Sequence, residues 1–206
     1  MPRISVNILT KNRSQLLKLA LDSVFAQSFK DFEVVLVDDG STDDTQNVLE
    51  KFKDLKIINH QTSAGITKSR QEALNQSQGE YVAILDDDDE WVNVDKLKKQ
   101  VEFLDTHPEY ILAGGGINIV TSDKLQVTSY FRPEEDQQIR NTMLFRNNFF
   151  TSTVMFKKSA AIKAGGFISD GADLSEDYDL WLRLGNIGKM ACPGALQKLF
   201  RSHEML

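Results

Sequence analysis

The 206 residues suffice for one large domain, or for a nucleotide-binding half joined to a smaller substrate half. With 41% apolar and 26% charged residues, the chain can bury an ordinary soluble core. A net charge of −6, with no basic stripe interleaved with aromatics, argues against nucleic acid as a partner, because phosphate-backbone binding needs clustered Lys and Arg.

Taken in chain order, Ile4–Thr10 reads as a strand that turns polar at Lys11, Asn12 and Arg13. Ser14 can cap a helix that places Leu17, Leu21 and Val24 on one face. Residues 32–37 form a nearly continuous apolar strand that stops at Asp38-Asp39-Gly40-Ser41, and Thr42 or Asp43 opens a helix carrying Val48, Leu49 and Phe52. A short strand follows at 56–59, then a helix over 65–76 with Ile66, Ala73 and Leu74 facing inward. Residues 81–85 make another buried strand, ending in four aspartates, Asp86 to Asp89. Leu97, Val101 and Leu104 mark a helix that Pro108 keeps from continuing.

This is β-α-β-α-β-α, with a polar cluster at the carboxyl end of each main strand. Near-continuous apolar strands covered by helices predict an α/β fold with a mostly parallel, Rossmann-like sheet. Ligands of such sheets sit in the crevice beyond the carboxyl ends, so residues 10–13, 38–41 and 86–89 are expected to converge there. The second half is less regular. Strands are predicted over 113–120, 127–131, 151–156 and 196–200, and helices over 134–145, 159–164 and 175–184, with a Gly165-Gly166-Phe167 turn.

Four adjacent carboxylates after a buried strand repel one another, and a hard divalent cation relieves that repulsion. The competing reading is a solvated acidic turn. Asp39 can accept hydrogen bonds from a base or a ribose hydroxyl, while Ser41, Thr42 and Asp43 read as caps. Glu176 and Asp177 occupy the first turn of a helix whose apolar face carries Leu180, Trp181 and Leu184. There, the helix dipole alone accounts for them, or one serves as general base for an incoming hydroxyl. His203 reads as an exposed terminal histidine or a metal ligand.

Cys192 is the sole cysteine, which excludes an intrachain disulfide or a cysteine zinc cluster. No apolar run is long enough to span a bilayer and no signal-peptide core is present at the N-terminus, so a cytoplasmic location is expected, with attachment at the inner face of the cell membrane left open. The ending at Met205-Leu206 suggests that the natural chain continues.

Six segments in order resemble the family 2 glycosyltransferases, whose fold is GT-A. They are Ser-Val-Asn-Ile-Leu-Thr-Lys-Asn-Arg (5–13), Val-Asp-Asp-Gly-Ser-Thr-Asp-Asp-Thr (37–45), Gly-Glu-Tyr-Val-Ala-Ile-Leu-Asp-Asp-Asp-Asp (79–89), Gly-Gly-Phe (165–167), Glu-Asp-Tyr-Asp-Leu-Trp-Leu-Arg (176–183) and Phe-Arg-Ser-His (200–203). The resemblance implies a single GT-A domain over 1–206, with a nucleotide-sugar-binding half at 1–108 and a smaller, mixed acceptor-binding half at 109–206. It implies inverting transfer from a nucleotide-diphosphate sugar, usually a UDP-sugar, with Mn²⁺ or Mg²⁺, to a glycan or lipid-linked acceptor. Thr10, Asn12, Arg13, Asp39, Arg70, Asp86 and Asp87 then line the nucleotide site, with Asp39 toward the base and Asp86 toward the ribose. Asp88 and His203 hold the metal, Asp177 is the catalytic base, and Glu176 stands beside it on the acceptor side. Lys11 departs from the family pattern, since many members carry an aromatic there that stacks on the base. Three other readings compete: a nucleotide-sugar-binding module without activity, a metal-dependent phosphatase, and a nucleotidyltransferase. The phosphatase would want Asp-x-Asp where Gly40 stands, and the nucleotidyltransferase a glycine-rich loop where Thr10 to Arg13 contain none.

Overall fold

Four apolar runs lie side by side as a parallel part of a seven-stranded sheet: β1 (Ile4–Thr10), β2 (Phe32–Asp38), β3 (Leu55–Asn59) and β4 (Tyr81–Asp86), in the order β3-β2-β1-β4 with β3 at the edge. The computed structural model describes residues 1–120, 127–168, 175–196 and 200–203. β1, β2 and β4 are buried on both faces, which is why their sequences run apolar instead of alternating.

Helices α1 (Ser14–Phe25), α2 (Thr45–Leu49), α3 (Ile66–Gln76) and α4 (Lys96–Thr106) link and cover these strands. The stripe Leu17, Leu21 and Val24 of α1 packs with Leu97, Val101 and Leu104 of α4 over Val6, Ile8, Leu36 and Leu85. Removing each such side chain from water contributes about 1.5–3 kcal/mol. α3 covers the other face through Ala73 and Leu74. Ile66, expected to face inward, is 40% exposed; at the first position of α3 it lies beside the strand ends and not over the sheet. The caps also differ from expectation. Ser14 is the first helical residue, and its N–H is accepted by the Asp43 carboxylate from the next helix-start loop.

A short strand unread in the sequence, β5 (Asp89–Trp91), follows the acidic cluster at once. The stretch 113–120 divides into β6 (Tyr110–Ala113) and β7 (Ile117–Val120), which belong to different sheets. Gly114-Gly115-Gly116 lie at the division, and a side chain at Gly114 would meet Phe149 Cδ1 at 2.8 Å, so the backbone passes close to Phe149 there. β8 (Val127–Tyr130) pairs antiparallel with β7. The helix expected over 134–145 is only α5 (Asp136–Thr142), since Leu144 and Phe145 are exposed and offer no buried face to extend it.

The strand expected over 151–156 begins instead as a 3-10 turn, Thr151–Thr153, in which the Thr153 and Val154 N–H groups bond back to the Phe150 and Thr151 carbonyls. Only β9 (Met155–Lys157) enters the sheet, antiparallel between β4 and β6. α6 (Lys158–Lys163), α7 (Glu176–Gly185) and β10 (Lys189–Ala191) follow, and β10 closes the large sheet beside β6. Leu196 lies in a second 3-10 turn and not in a strand; β11 (Phe200–His203) sits between β5 and β7 in the smaller sheet. The apolar stripe of α7 seats a fully buried Trp181 against Phe149 and Phe156. Among the described residues, no helix is long and apolar enough to cross a membrane.

Candidate active site

Strand register brings the polar clusters together. Leu9 of β1 pairs with Asp86 of β4, and Thr10 pairs with Asp38 of β2, so all three strands end at one edge. Beyond that edge lies a cleft of about 520 Å³, lined by Thr10, Lys11, Arg13, Asp39, Ser63, Ser69, Arg70 and Asp86 to Asp88 among others. This is the convergence expected at the carboxyl ends of a parallel sheet.

The aspartates divide their work. Asp87 is buried and accepts hydrogen bonds from Thr10 Oγ1 at 2.8 Å and Arg13 at 3.0 Å. Burial pushes its carboxyl above the usual range, against the pull of Thr10 and Arg13. Asp88 accepts from the same Arg13 guanidinium at 2.9 Å. Asp86, about a third exposed, accepts from Arg70 at 3.0 Å. Thr10 and Arg13 therefore brace the acidic tip from β1, while Asp86 and Asp88 face the cleft. Asn12 stands apart from the lining. Held at a positive φ of 55°, it accepts the Thr42 N–H at 2.7 Å, and its own N–H bonds Ser41. Ser41, Thr42 and Asp43 spend their side chains on loop contacts and on the start of α1, and α2 begins only at Thr45, with Asp44 and not Thr42 or Asp43 at its N-cap.

Asp39 is a hub. It accepts from His60 Nδ1 at 2.7 Å, Ser63 Oγ, the Ala64 N–H at 2.7 Å and, at 3.3 Å, the Gly65 N–H and Ser69 Oγ. Burial opposes its charge, yet these donors lower its pKa to about 2. His60 bonds Glu72 through its other nitrogen at 2.7 Å. Flanked by two carboxylates, it is pushed above the ordinary histidine value. Neither His60 nor Ser63 was foreseen. His60 follows β3 directly, so the strand-end rule applied to all four parallel strands would have found it.

Arg70 joins the two halves. Rising from α3, it is 5% exposed, donates from Nε to Glu176 at 2.7 Å and from its terminal nitrogen to Asp86. Burial opposes its charge, but Asp86, Glu176 and Asp177 hold its pKa above the ordinary value. Glu176 and Asp177 open α7, and Glu176 is tied through Arg70 to Asp86 at the tip of β4. Asp177 accepts from Thr151 Oγ1 at 2.5 Å and Asn147 Nδ2 at 3.4 Å. His203 lies in β11, but its side chain is outside the described residues.

Asp86 and Asp88 supply hard oxygen donors on one rim, the type a divalent cation of the Mg²⁺ or Mn²⁺ kind takes. Among the described residues, no three His, Cys, Asp or Glu side chains gather into a metal-holding group. A site of this kind suits a cation that shares its coordination with substrate phosphates.

The model of glycosyl transferase family 2 matches residues 5–165. The chain belongs to that family. Among its curated relatives is the UDP-Glc:alpha-D-GlcNAc-diphosphoundecaprenol beta-1,3-glucosyltransferase WfaP of Escherichia coli, 28% identical over 186 residues, which are 89% of this chain and 70% of the relative. Solved glycosyltransferase structures share its fold. TarS of S. aureus in complex with UDP-GlcNAc superposes with a TM-score of 0.80 at 22% identity, over all of this chain and 59% of that one. The mannosyltransferase PcManGT of Pyrobaculum calidifontis, in complex with GDP-Man and Mn²⁺, gives 0.72 at 23% identity over 98% of this chain and 56% of that one. The chain thus spans less than two thirds of the length of these solved relatives.

Proposed function

We propose that this family member transfers a sugar, with inversion, from a nucleotide-diphosphate sugar to an acceptor hydroxyl, and that the donor is a UDP-sugar. The observation that carries this reading is the bridge from Asp86 through Arg70 to Glu176, which ties the acidic tip lining the cleft to the first turn of α7, where we read the acceptor-side carboxylates. The complexes of TarS with UDP-GlcNAc and of PcManGT with GDP-Man and Mn²⁺ support a nucleotide-sugar donor.

In the proposed step, Asp177 accepts the proton of the acceptor hydroxyl as that oxygen attacks the anomeric carbon. The new C–O bond forms as the bond to the diphosphate oxygen breaks, and the electron pair leaves with the diphosphate. Glu176 keeps Arg70 aligned with Asp86, while Asp39, Asp86 and Thr10 receive the nucleoside and Asp87 and Arg13 keep the tip rigid. Asp88, with Asp86 beside it and His203 at the end of β11, would hold a divalent cation, which supplies charge neutralisation for the leaving diphosphate. One base then suffices for a single displacement, and no covalent enzyme intermediate is needed.

The reading extends to a cytoplasmic enzyme of polysaccharide or lipid-linked glycan synthesis, associated peripherally with the inner face of the membrane. Support comes from the diphosphoundecaprenol acceptor in the name of WfaP. To test the catalytic assignment, turnover of UDP-glucose and UDP-N-acetylglucosamine is measured for wild type and Asp177→Asn alongside UDP affinity. The variant should lose at least about a hundredfold in turnover, the scale of a lost general base, with affinity unchanged. Wild-type turnover in Asp177→Asn would contradict it, and UDP binding by a wild type without turnover would favour a binding module.

A further inference from the structure

The turn Thr151–Thr153 is pinned from several directions. The Ser152 hydroxyl accepts the Asp86 N–H at 3.0 Å, and its carbonyl accepts the Trp91 indole N–H at 2.9 Å. Thr153 Oγ1 accepts the Gly115 N–H at 3.0 Å, and the Thr153 carbonyl accepts Gln100 Nε2 at 2.9 Å. The backbone carrying Thr151 is thereby locked to the strand that ends in the acidic tip. From it, Thr151 Oγ1 reaches Asp177 Oδ2 at 2.5 Å, and Asn147 Nδ2 approaches the same oxygen at 3.4 Å. The other oxygen, Oδ1, takes the N–H of Tyr178 at 2.6 Å. A carboxylate has about four acceptor positions, so these three bonds fix its plane and still leave room for an incoming proton.

We propose that Thr151 is a positioning residue for Asp177: its hydroxyl, carried on a turn bonded to Asp86, sets where the base oxygen stands relative to the donor. The inference rests on the assignment of Asp177 as base. It adds a residue whose role neither spacing nor the strand expected at 151–156 suggested. Thr151 touches no reacting atom. Its hydroxyl donates to the carboxylate and orients it, and Asn147 provides weaker support on the same oxygen. The mechanical consequence is specific. Donor binding depends on residues at the strand ends, so losing the Thr151 hydroxyl should leave nucleotide affinity alone and lower only the rate of the bound complex.

The test compares wild type, Thr151→Val, Thr151→Ser and Asp177→Asn. Turnover of UDP-glucose and UDP-N-acetylglucosamine with Mn²⁺ is measured beside UDP affinity by calorimetry, and Thr151→Val and Thr151→Ser are crystallised. Valine matches threonine in shape and lacks the hydroxyl, whereas serine restores it. Thr151→Val should lose about tenfold or more in kcat, the scale expected of a displaced catalytic group, with UDP affinity within about twofold. Its Asp177 carboxylate should rotate away from the wild-type position, and Thr151→Ser should recover both rate and rotamer. An unmoved Asp177 carboxylate in Thr151→Val, or wild-type kcat in that variant while Asp177→Asn is inactive, would overturn the proposal. Full activity in Asp177→Asn would instead remove the base assignment, and this inference with it.

Discussion

At the scale of single residues, the cleft is organised by paired charges and not by isolated ones. Arg70 and Glu176 are both buried, and each would be costly without the other. His60 makes the same point in titratable form, with Asp39 on one ring nitrogen and Glu72 on the other. Its proton is held to a higher pH in the folded chain than at the ordinary value of 6.5. The stability it contributes is therefore fully present below about pH 6.5 and is lost as pH rises through the folded value. Denaturation measured across that range should show wild-type stability falling relative to His60→Gln, which lacks this titration. Parallel curves for the two proteins would show that the pair of carboxylates does not hold the proton. Asp39 sets the opposite limit: with its pKa near 2, its contribution persists until pH drops below about 4.

At the scale of elements, close backbone approach decides where motifs are found. Gly79 begins the Gly-Glu-Tyr entry to β4, and a Cβ there would meet the Ser5 backbone nitrogen at 2.5 Å and the Ile4 carbonyl carbon at 2.6 Å. Ser5 Oγ accepts the Gly79 N–H at 2.8 Å, so this approach also closes the join between β1 and β4. Gly79→Ala should destabilise the chain by about 1–3 kcal/mol, the usual scale for overpacking against backbone, seen as a lower urea midpoint at unchanged slope. A midpoint equal to wild type would mean that β1 yields at this position at no cost. The first-half elements were legible in the sequence because their apolar periods are strong and each strand stops at a polar cluster. The second half was not, for identifiable reasons. Three glycines lie where residues 113–120 divide between two sheets, and β10, like β5 in the first half, carries too few residues for a period to show. The 3-10 turn at Thr151–Thr153 has the composition of a strand, and only its contacts with Asp86, Trp91 and Gly115 bend it. Candidate residues followed the same division. Asp86, Asp88, Arg70 and Glu176 are read from strand ends and the family resemblance, and the same strand-end rule carried to β3 reaches His60, whereas Thr151 emerges only from contacts between distant segments.

For the whole molecule, the fold sets a negative tip inside a chain whose net charge is already −6, at a cleft sized for a small ligand. Such a pocket attracts a sugar diphosphate only when positive charge is present; Lys11, Arg13 and Arg70 supply part of it, and the two guanidinium groups are already engaged with Asp86, Asp87, Asp88 and Glu176. On the proposed function, the remainder arrives with a cation. The most direct measurement of that claim is calorimetric titration of the wild type and Asp88→Ala with UDP, in the presence and absence of Mn²⁺. The account predicts that UDP binds the wild type measurably more tightly with Mn²⁺, and that Asp88→Ala abolishes the difference. Equal affinity with and without the cation, or an undiminished Mn²⁺ effect in Asp88→Ala, would contradict it.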